Sequence, residues 1–252
     1  MRDVRAALVA CALAACAATP ARAGFDQPID NARYPTAGLL SHREYRLQLR
    51  LTPESSLQGG GRIGFKDRLQ LGVFYGVQNL VETRDPTAND HVGFEVRVRV
   101  LDEGRWPAIA LGFDSQGWYA YSGADRRYQR KSPGFYAVAS RNWSFFAGDF
   151  SLHLGANYSL EREDGDDAPC LFTAADWTIA DRVSFLADVG SAWNDDRKDG
   201  RYGEGGIYVD AGLRVVLGDN LALMLVFSDL TKNLAPGEDI GREFEIVYQN
   251  SF

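Results

Sequence analysis

The chain has 252 residues, a net charge of −7, 45% hydrophobic residues and 26 glycines. An acidic balance of this kind offers no basic face to nucleic acid, which is excluded as a partner. Its three cysteines lack metal-ligand spacing, so no metal and no cofactor is expected.

Residues 1–23 read as a secretory signal peptide. Arg2 and Arg5 precede an apolar run, and Ala21-Arg22-Ala23 is a small-x-small cleavage site. Leu13-Ala14-Ala15-Cys16 offers a second ending, with lipidation at Cys16, but Pro20 and the Ala-Arg-Ala triplet favour cleavage after Ala23. Cys11 and Cys16 leave with the signal, so Cys170 has no intramolecular partner. Residues 24–42 are expected to form an N-terminal periplasmic segment and residues 43–252 the folded body.

No stretch beyond Ala23 approaches the roughly 18 apolar residues of a membrane-crossing helix, so a passage through lipid would have to use strands. Period-two alternation supplies about twelve of them. Tyr45, Leu47, Leu49 and Leu51 oppose Arg46, Gln48 and Arg50. Leu69, Leu71, Val73 and Tyr75 oppose Gln70, Gly72 and Gly76. Val92 to Val100 oppose Glu95, Arg97 and Arg99 in the same way. Weaker alternation near 55–65, 106–114, 133–142 and 170–178 is joined by clear runs at 152–160, 183–193, 207–217 and 221–227. The last, Arg242 to Phe252, sets Phe244, Ile246 and Tyr248 against Glu243, Glu245 and Gln249.

The connections alternate as well. Turns at 66–68, 102–105, 180–182 and 218–220 are tight, with a looser one at 142–149. Those at 78–91, 115–132, 161–169, 194–204 and 229–241 are long and polar. Short turns at one rim and long loops at the other mark a closed antiparallel up-and-down transmembrane β-barrel of about 12 strands. The non-apolar parity makes a poor dry core, since it carries Glu95, Arg97, Arg99, Asp114, His153, Asn157, Asp188, Asp210, Arg214, Glu243 and Glu245. These residues are the candidate lumen lining, and the apolar parity is assigned to lipid. Aromatics near the strand ends, such as Tyr45, Phe65, Tyr75 and Tyr158, fit two interfacial girdles. Phe252, with Tyr248 on the same face of the closing strand, resembles the C-terminal signal read by the barrel-assembly machinery.

At "ALGFDSQGWYAYSG" (110–123), "KSPGFYAVAS" (131–140) and "REFEIVYQNSF" (242–252), the chain resembles the YjbH-like outer-membrane β-barrel family. The resemblance implies a non-enzymatic protein of a Gram-negative outer membrane, linked to exopolysaccharide export or envelope structure. It implies outer-membrane lipids, the assembly machinery and polysaccharide or export components as partners. A porin-like channel for small solutes is the alternative. A barrel-embedded hydrolase is a second, in which His153 would work with Ser151, Asn157 or Ser159. Same-strand neighbours make no nucleophile and base pair unaided, so no catalytic residue is assigned. Arg126, Arg127, Arg130 and Lys131 cluster in one long loop, where they could pair with lipid phosphates or acidic glycans. Glu161, Glu163, Asp164, Asp166 and Asp167 make an acidic loop without EF-hand spacing.

Overall fold

A computed structural model describes residues 28–53, 56–80, 85–196, 201–234 and 239–252. The expected signal peptide lies outside the described residues. Within them there is no helix, and the strands in chain order are β1 (Glu44–Thr52), β2 (Ser56–Phe65), β3 (Leu69–Gln78), β4 (Thr87–Ala88) and β5 (Gly93–Leu101). They continue with β6 (Ala108–Asp114), β7 (Trp118–Ser122), β8 (Arg127–Arg130), β9 (Gly134–Phe145) and β10 (Gly148–Tyr158). The last are β11 (Cys170–Ile179), β12 (Val183–Ser191), β13 (Ile207–Leu217), β14 (Leu221–Ser228) and β15 (Gly241–Ser251).

Twelve of these, all but β4, β7 and β8, pair antiparallel with their sequence neighbours into one closed barrel. The seam joins β1 to β15 in continuous register from Glu44 opposite Ser251 to Leu51 opposite Phe244. Closure leaves no edge strand, which satisfies every rung of the backbone ladder and makes an open sheet's exposed polar edge unnecessary.

Parity works as the alternation requires. Leu47, Leu49, Val73, Phe94, Val98, Leu154, Phe185 and Leu225 stand on the outer surface, while the intervening residues face inward and are mostly buried. An outer surface that is apolar around the whole wall suits lipid and would be a liability in water.

The tight turns have a specific cause. Lys66-Asp67, Phe146-Ala147 and Ala180-Asp181 each hold two consecutive left-handed residues, the backbone of the two-residue hairpin whose twist matches its strands. The turn expected to be looser at 142–149 is one of these. β9 and β10 run on to Phe145 and Gly148, so only Phe146 and Ala147 separate them.

Of the segment expected at 24–42, residues 28–42 are described. Pro28 to Leu40 does not lie outside the barrel but is threaded through its interior, with Ile29, Ala32, Tyr34, Ala37 and Leu40 all buried. The physical reason is volume: a twelve-stranded wall encloses more space than inward side chains fill, which leaves room for chain from outside the wall. The long connection between β6 and β9 does the same from the other direction, through the β7–β8 hairpin.

Val73, at mid-height of β3, is about half exposed on the outer wall (51%). Val73→Arg should cost about 2–4 kcal/mol of unfolding free energy in lipid vesicles, measured by denaturant titration. A cost near zero would contradict a lipid-facing wall.

Candidate functional site

The lumen wall is divided by charge. Along β1, β2 and β5, the inward positions carry Arg46, Arg50, Arg62, Arg97 and Arg99, with Glu95 among them. Along β11, β12, β13 and β15 they carry Asp176, Asp188, Asp210, Glu243 and Glu245, with Arg214 among them. The strand order puts β5 across the barrel from β13 and β2 across from β11, so the basic and acidic walls face each other there, while they meet at the β1–β15 seam, where Arg50 pairs with Glu245. Arg46, Arg50 and Arg62 were readable as inward from the parity opposite Leu47, Leu49 and Ile63, yet single-strand alternation does not show that they share one wall.

Pro28 to Leu40, the plug, is built to bridge these walls. Asp30 accepts from Arg62 Nη2 at 2.6 Å and from Arg97 Nη2 at 2.7 Å on the basic side. Three residues on, Arg33 donates to Glu243 and to Tyr119 Oη and lies 3.7 Å from an Asp210 oxygen on the acidic side. Asp188 fixes the bend between them: its carboxylate accepts the backbone N–H of Arg33 at 2.6 Å, that of Tyr34 at 3.0 Å and the Asn31 side-chain amide at 2.5 Å. Asn31 also donates to the Ala175 and Ala187 carbonyls. The Tyr34 ring stacks on Phe172 with centroids 4.6 Å apart. It fits only because residue 190 is glycine, since a Cβ there would stand 1.8 Å from the Tyr34 hydroxyl. Further along, Ala37 N–H donates to Ser140 Oγ and Leu40 N–H to Gln70 Oε1.

The hairpin β7–β8 closes the lumen from the long-loop side. Tyr119 donates to Ser228 on β14, and Arg130 grips Asp210 on β13 through Nη1 while its Nη2 donates to Tyr34 of the plug. Arg130 also lies over the Tyr208 ring at 4.1 Å. The loop cations are thus not a free anion-binding patch: Arg127 is buried against Asp164 and Asp195, Lys131 against Asp164, and Arg130 against Asp210. Only Arg126 of the four stays exposed, beside Glu163 at 2.7 Å. Burial opposes the charge on Asp164, but the hydrogen bond from Lys131 and the cations Lys131 and Arg127 outweigh it and hold this carboxyl below its usual range. Burial pushes the Glu161 carboxyl up, although it accepts backbone N–H groups from Tyr128 and Ser132.

The other sequence candidates fall as follows. Glu95 accepts from Arg62 Nε at 2.5 Å and Gln70 Nε2 at 2.7 Å, and Arg97 Nε donates to Tyr136 Oη at 2.7 Å. Arg99 donates to the Ala37 carbonyl, Asp114 caps a turn by accepting Gln116 N–H, and Arg214 donates to Ser184. Glu245 accepts from Arg50. Asn157 donates to the Pro133 carbonyl, which removes it from His153. His153 instead stands between Ser140 Oγ, 2.7 Å from Nδ1, and Asp176 Oδ1, 3.2 Å from Nε2. That contact order resembles a catalytic triad, but Ser140 Oγ already receives the plug's Ala37 N–H and all three side chains are buried. The interior cavities next to the plug are lined by other residues and have room for about one or two waters each. Phe252 is exposed at the rim beside Tyr45, and Tyr248 lies on the outer face. Cys170 is buried and points its thiol at Asn194 Oδ1.

Removing the Asp188 carboxylate leaves two buried backbone donors, the N–H groups of Arg33 and Tyr34, unsatisfied, each worth about 1–3 kcal/mol, while Asn31 keeps its two carbonyl acceptors. Asp188→Ala should therefore undock the plug and expose the Arg33–Tyr34 bond, raising the rate of tryptic cleavage there by about tenfold or more while the barrel stays folded. Mass spectrometry of the fragments, with circular dichroism to verify the strands, checks it. An unchanged rate would show that Asp188 does not hold the plug.

No family model matches the chain and no curated protein does. The resemblance to the YjbH-like family gains no support from them. Solved structures similar to the chain include a KdgM porin (11% identity, TM-score 0.48, covering 83% of this chain and 99% of that one) and a NanC porin (10%, 0.44, 82% and 99%). The outer membrane protein Omp33 of Acinetobacter baumannii is similar at 8% identity and TM-score 0.44, over 83% of this chain and 97% of that one. Likenesses at this level say nothing of what this barrel binds or carries.

Proposed function

We propose that the protein is a non-enzymatic, porin-like solute channel of a bacterial outer membrane, held shut in the described state by its own N-terminal segment. The observation that carries this reading is the division of labour inside the barrel. Apart from apolar patches on β6 and β14, the inward wall is largely polar and charged, and what closes it is not wall but two segments outside the twelve-stranded ladder, docked through hydrogen bonds and ion pairs. A barrel meant only as a scaffold is cheaper to fill with apolar side chains, because each buried charge must be compensated on desolvation. Charges on the wall are useful when water and solute replace the plug. The apolar outer surface and the alternation of short turns with long loops support the outer-membrane location.

The experiment is planar-bilayer conductance of the full chain. The unaltered protein should be mostly silent with rare openings. The triple variant Asp188→Ala, Gly190→Val and Arg130→Gln, which removes the carboxylate at the plug's bend, fills the space under Tyr34 and frees the β7–β8 hairpin from Asp210, should give frequent, steady steps. Silence from a folded triple variant whose Arg33–Tyr34 bond is open to trypsin would overturn the channel reading in favour of a structural barrel.

A further inference from the structure

The plug occupies the lumen in a chemically particular way: it presents one carboxylate to the basic wall and one guanidinium to the acidic wall, three residues apart in a turn that the Asp30–Pro35 bridge closes. We infer that the same two walls form a binding site for a zwitterionic, peptide-like solute, whose anionic and cationic groups take the places of Asp30 and Arg33. The inference deepens the channel reading and rests on it for its biological setting.

Four observations carry it. First, the two half-sites are complete and distinct: Arg62 and Arg97 converge on the Asp30 carboxylate within 2.7 Å, while Glu243 and Asp210 flank the Arg33 guanidinium. Second, both are buried, with Arg97 and Asp210 fully inaccessible, so electrostatic interactions there are screened far less than at a surface. Third, the space between them offers peptide recognition. The Asp188 carboxylate takes two successive backbone N–H groups, and Trp118 and Tyr119 lie against the guanidinium at 5.4 and 4.8 Å. Fourth, Arg33 does not saturate its site. Its Nε and Nη1 are buried and make no hydrogen bond, so a cation of different shape could satisfy the acidic wall better than the resident one.

Charge logic then sets the class of solute. A simple anion entering in place of the plug would satisfy Arg62 and Arg97 but leave Glu243 without the Arg33 cation and Asp210 with Arg130 alone. A simple cation would leave Arg62 and Arg97 to share Glu95 alone. A molecule carrying both charges, about three residues apart, compensates both walls at once, and its intervening backbone can meet Asp188. Specificity arises as much from what single-charge solutes leave unpaired as from what the zwitterion gains.

The test uses the full chain carrying Asp30→Asn and Arg33→Gln, which weakens the plug's hold on both walls without touching them, in detergent. The probes are the capped tetrapeptide Asp-Asn-Ala-Arg, copying residues 30–33, and its single-charge analogues Asn-Asn-Ala-Arg and Asp-Asn-Ala-Gln. Binding is read by tryptophan emission, with a Trp118→Phe control because Trp118 borders the guanidinium site. The doubly charged peptide should bind about tenfold or more tighter than either analogue. Charge reversal of one wall by Arg62→Glu should abolish that preference. Equal affinities for the three peptides, or no binding by any of them to the folded variant, would overturn the inference. Bilayer conductance of the Asp188→Ala, Gly190→Val and Arg130→Gln variant decides the channel reading separately, so the two can fail independently.

Discussion

The interior volume of a twelve-stranded barrel governs the rest of this structure. The wall is held by a closed ladder of backbone hydrogen bonds and needs nothing inside to satisfy it. The diameter that closure imposes, however, leaves a space too wide for inward side chains to meet across it. Small inward residues such as Gly60, Gly72, Gly112 and Gly190 widen it further. Water could fill that space, but here the chain fills it with its own backbone, entering from both rims.

Filling a polar lumen with polypeptide creates a second constraint, because each backbone amide and each wall charge brought inside loses water. The plug meets it by making its polar groups answer the wall's: Asp30 to two arginines, Asn31 to two carbonyls and a carboxylate, Ala37 to a serine, Leu40 to a glutamine. Individual pairs of this kind are close to neutral overall, since Coulomb attraction is largely offset by desolvation. Their effect lies in discrimination: any other arrangement of the same segment leaves a charge stranded. A plug held this way has one defined seat and a modest net hold on it.

How much of this was legible in the sequence follows from what alternation encodes. Period two states which side chains share a face, so the strands, the outward Leu47 or Phe94 and the inward Glu95 or Asp210 could be read directly. The lengths of the connections gave the two rims. What alternation does not encode is partnership across the lumen. Pro28 to Leu40 has no period, carries two prolines and a glycine, and reads as a periplasmic segment, although its burial depends on residues more than 150 positions away. The hairpin β7–β8 was hidden for a related reason: Arg127, Arg130 and Lys131 look like a solvated basic loop until Asp164, Asp195 and Asp210 are brought to them. Ser140 and Asp176 likewise sit on neighbouring strands, and only the register between β9, β10 and β11 sets them on either side of His153.

The plug's position in the chain bears on how the barrel matures. Asn31 and Arg33 bond to Asp188 and Glu243, on strands made late in synthesis, across separations of 157 and 210 residues. Contacts that distant cannot form until β12 and β15 have joined the wall, and long-range contacts are the slow ones in any case. A newly closed barrel would therefore stand hollow before its first residues are seated. The plug is thus seated into a finished wall and can take no part in templating it.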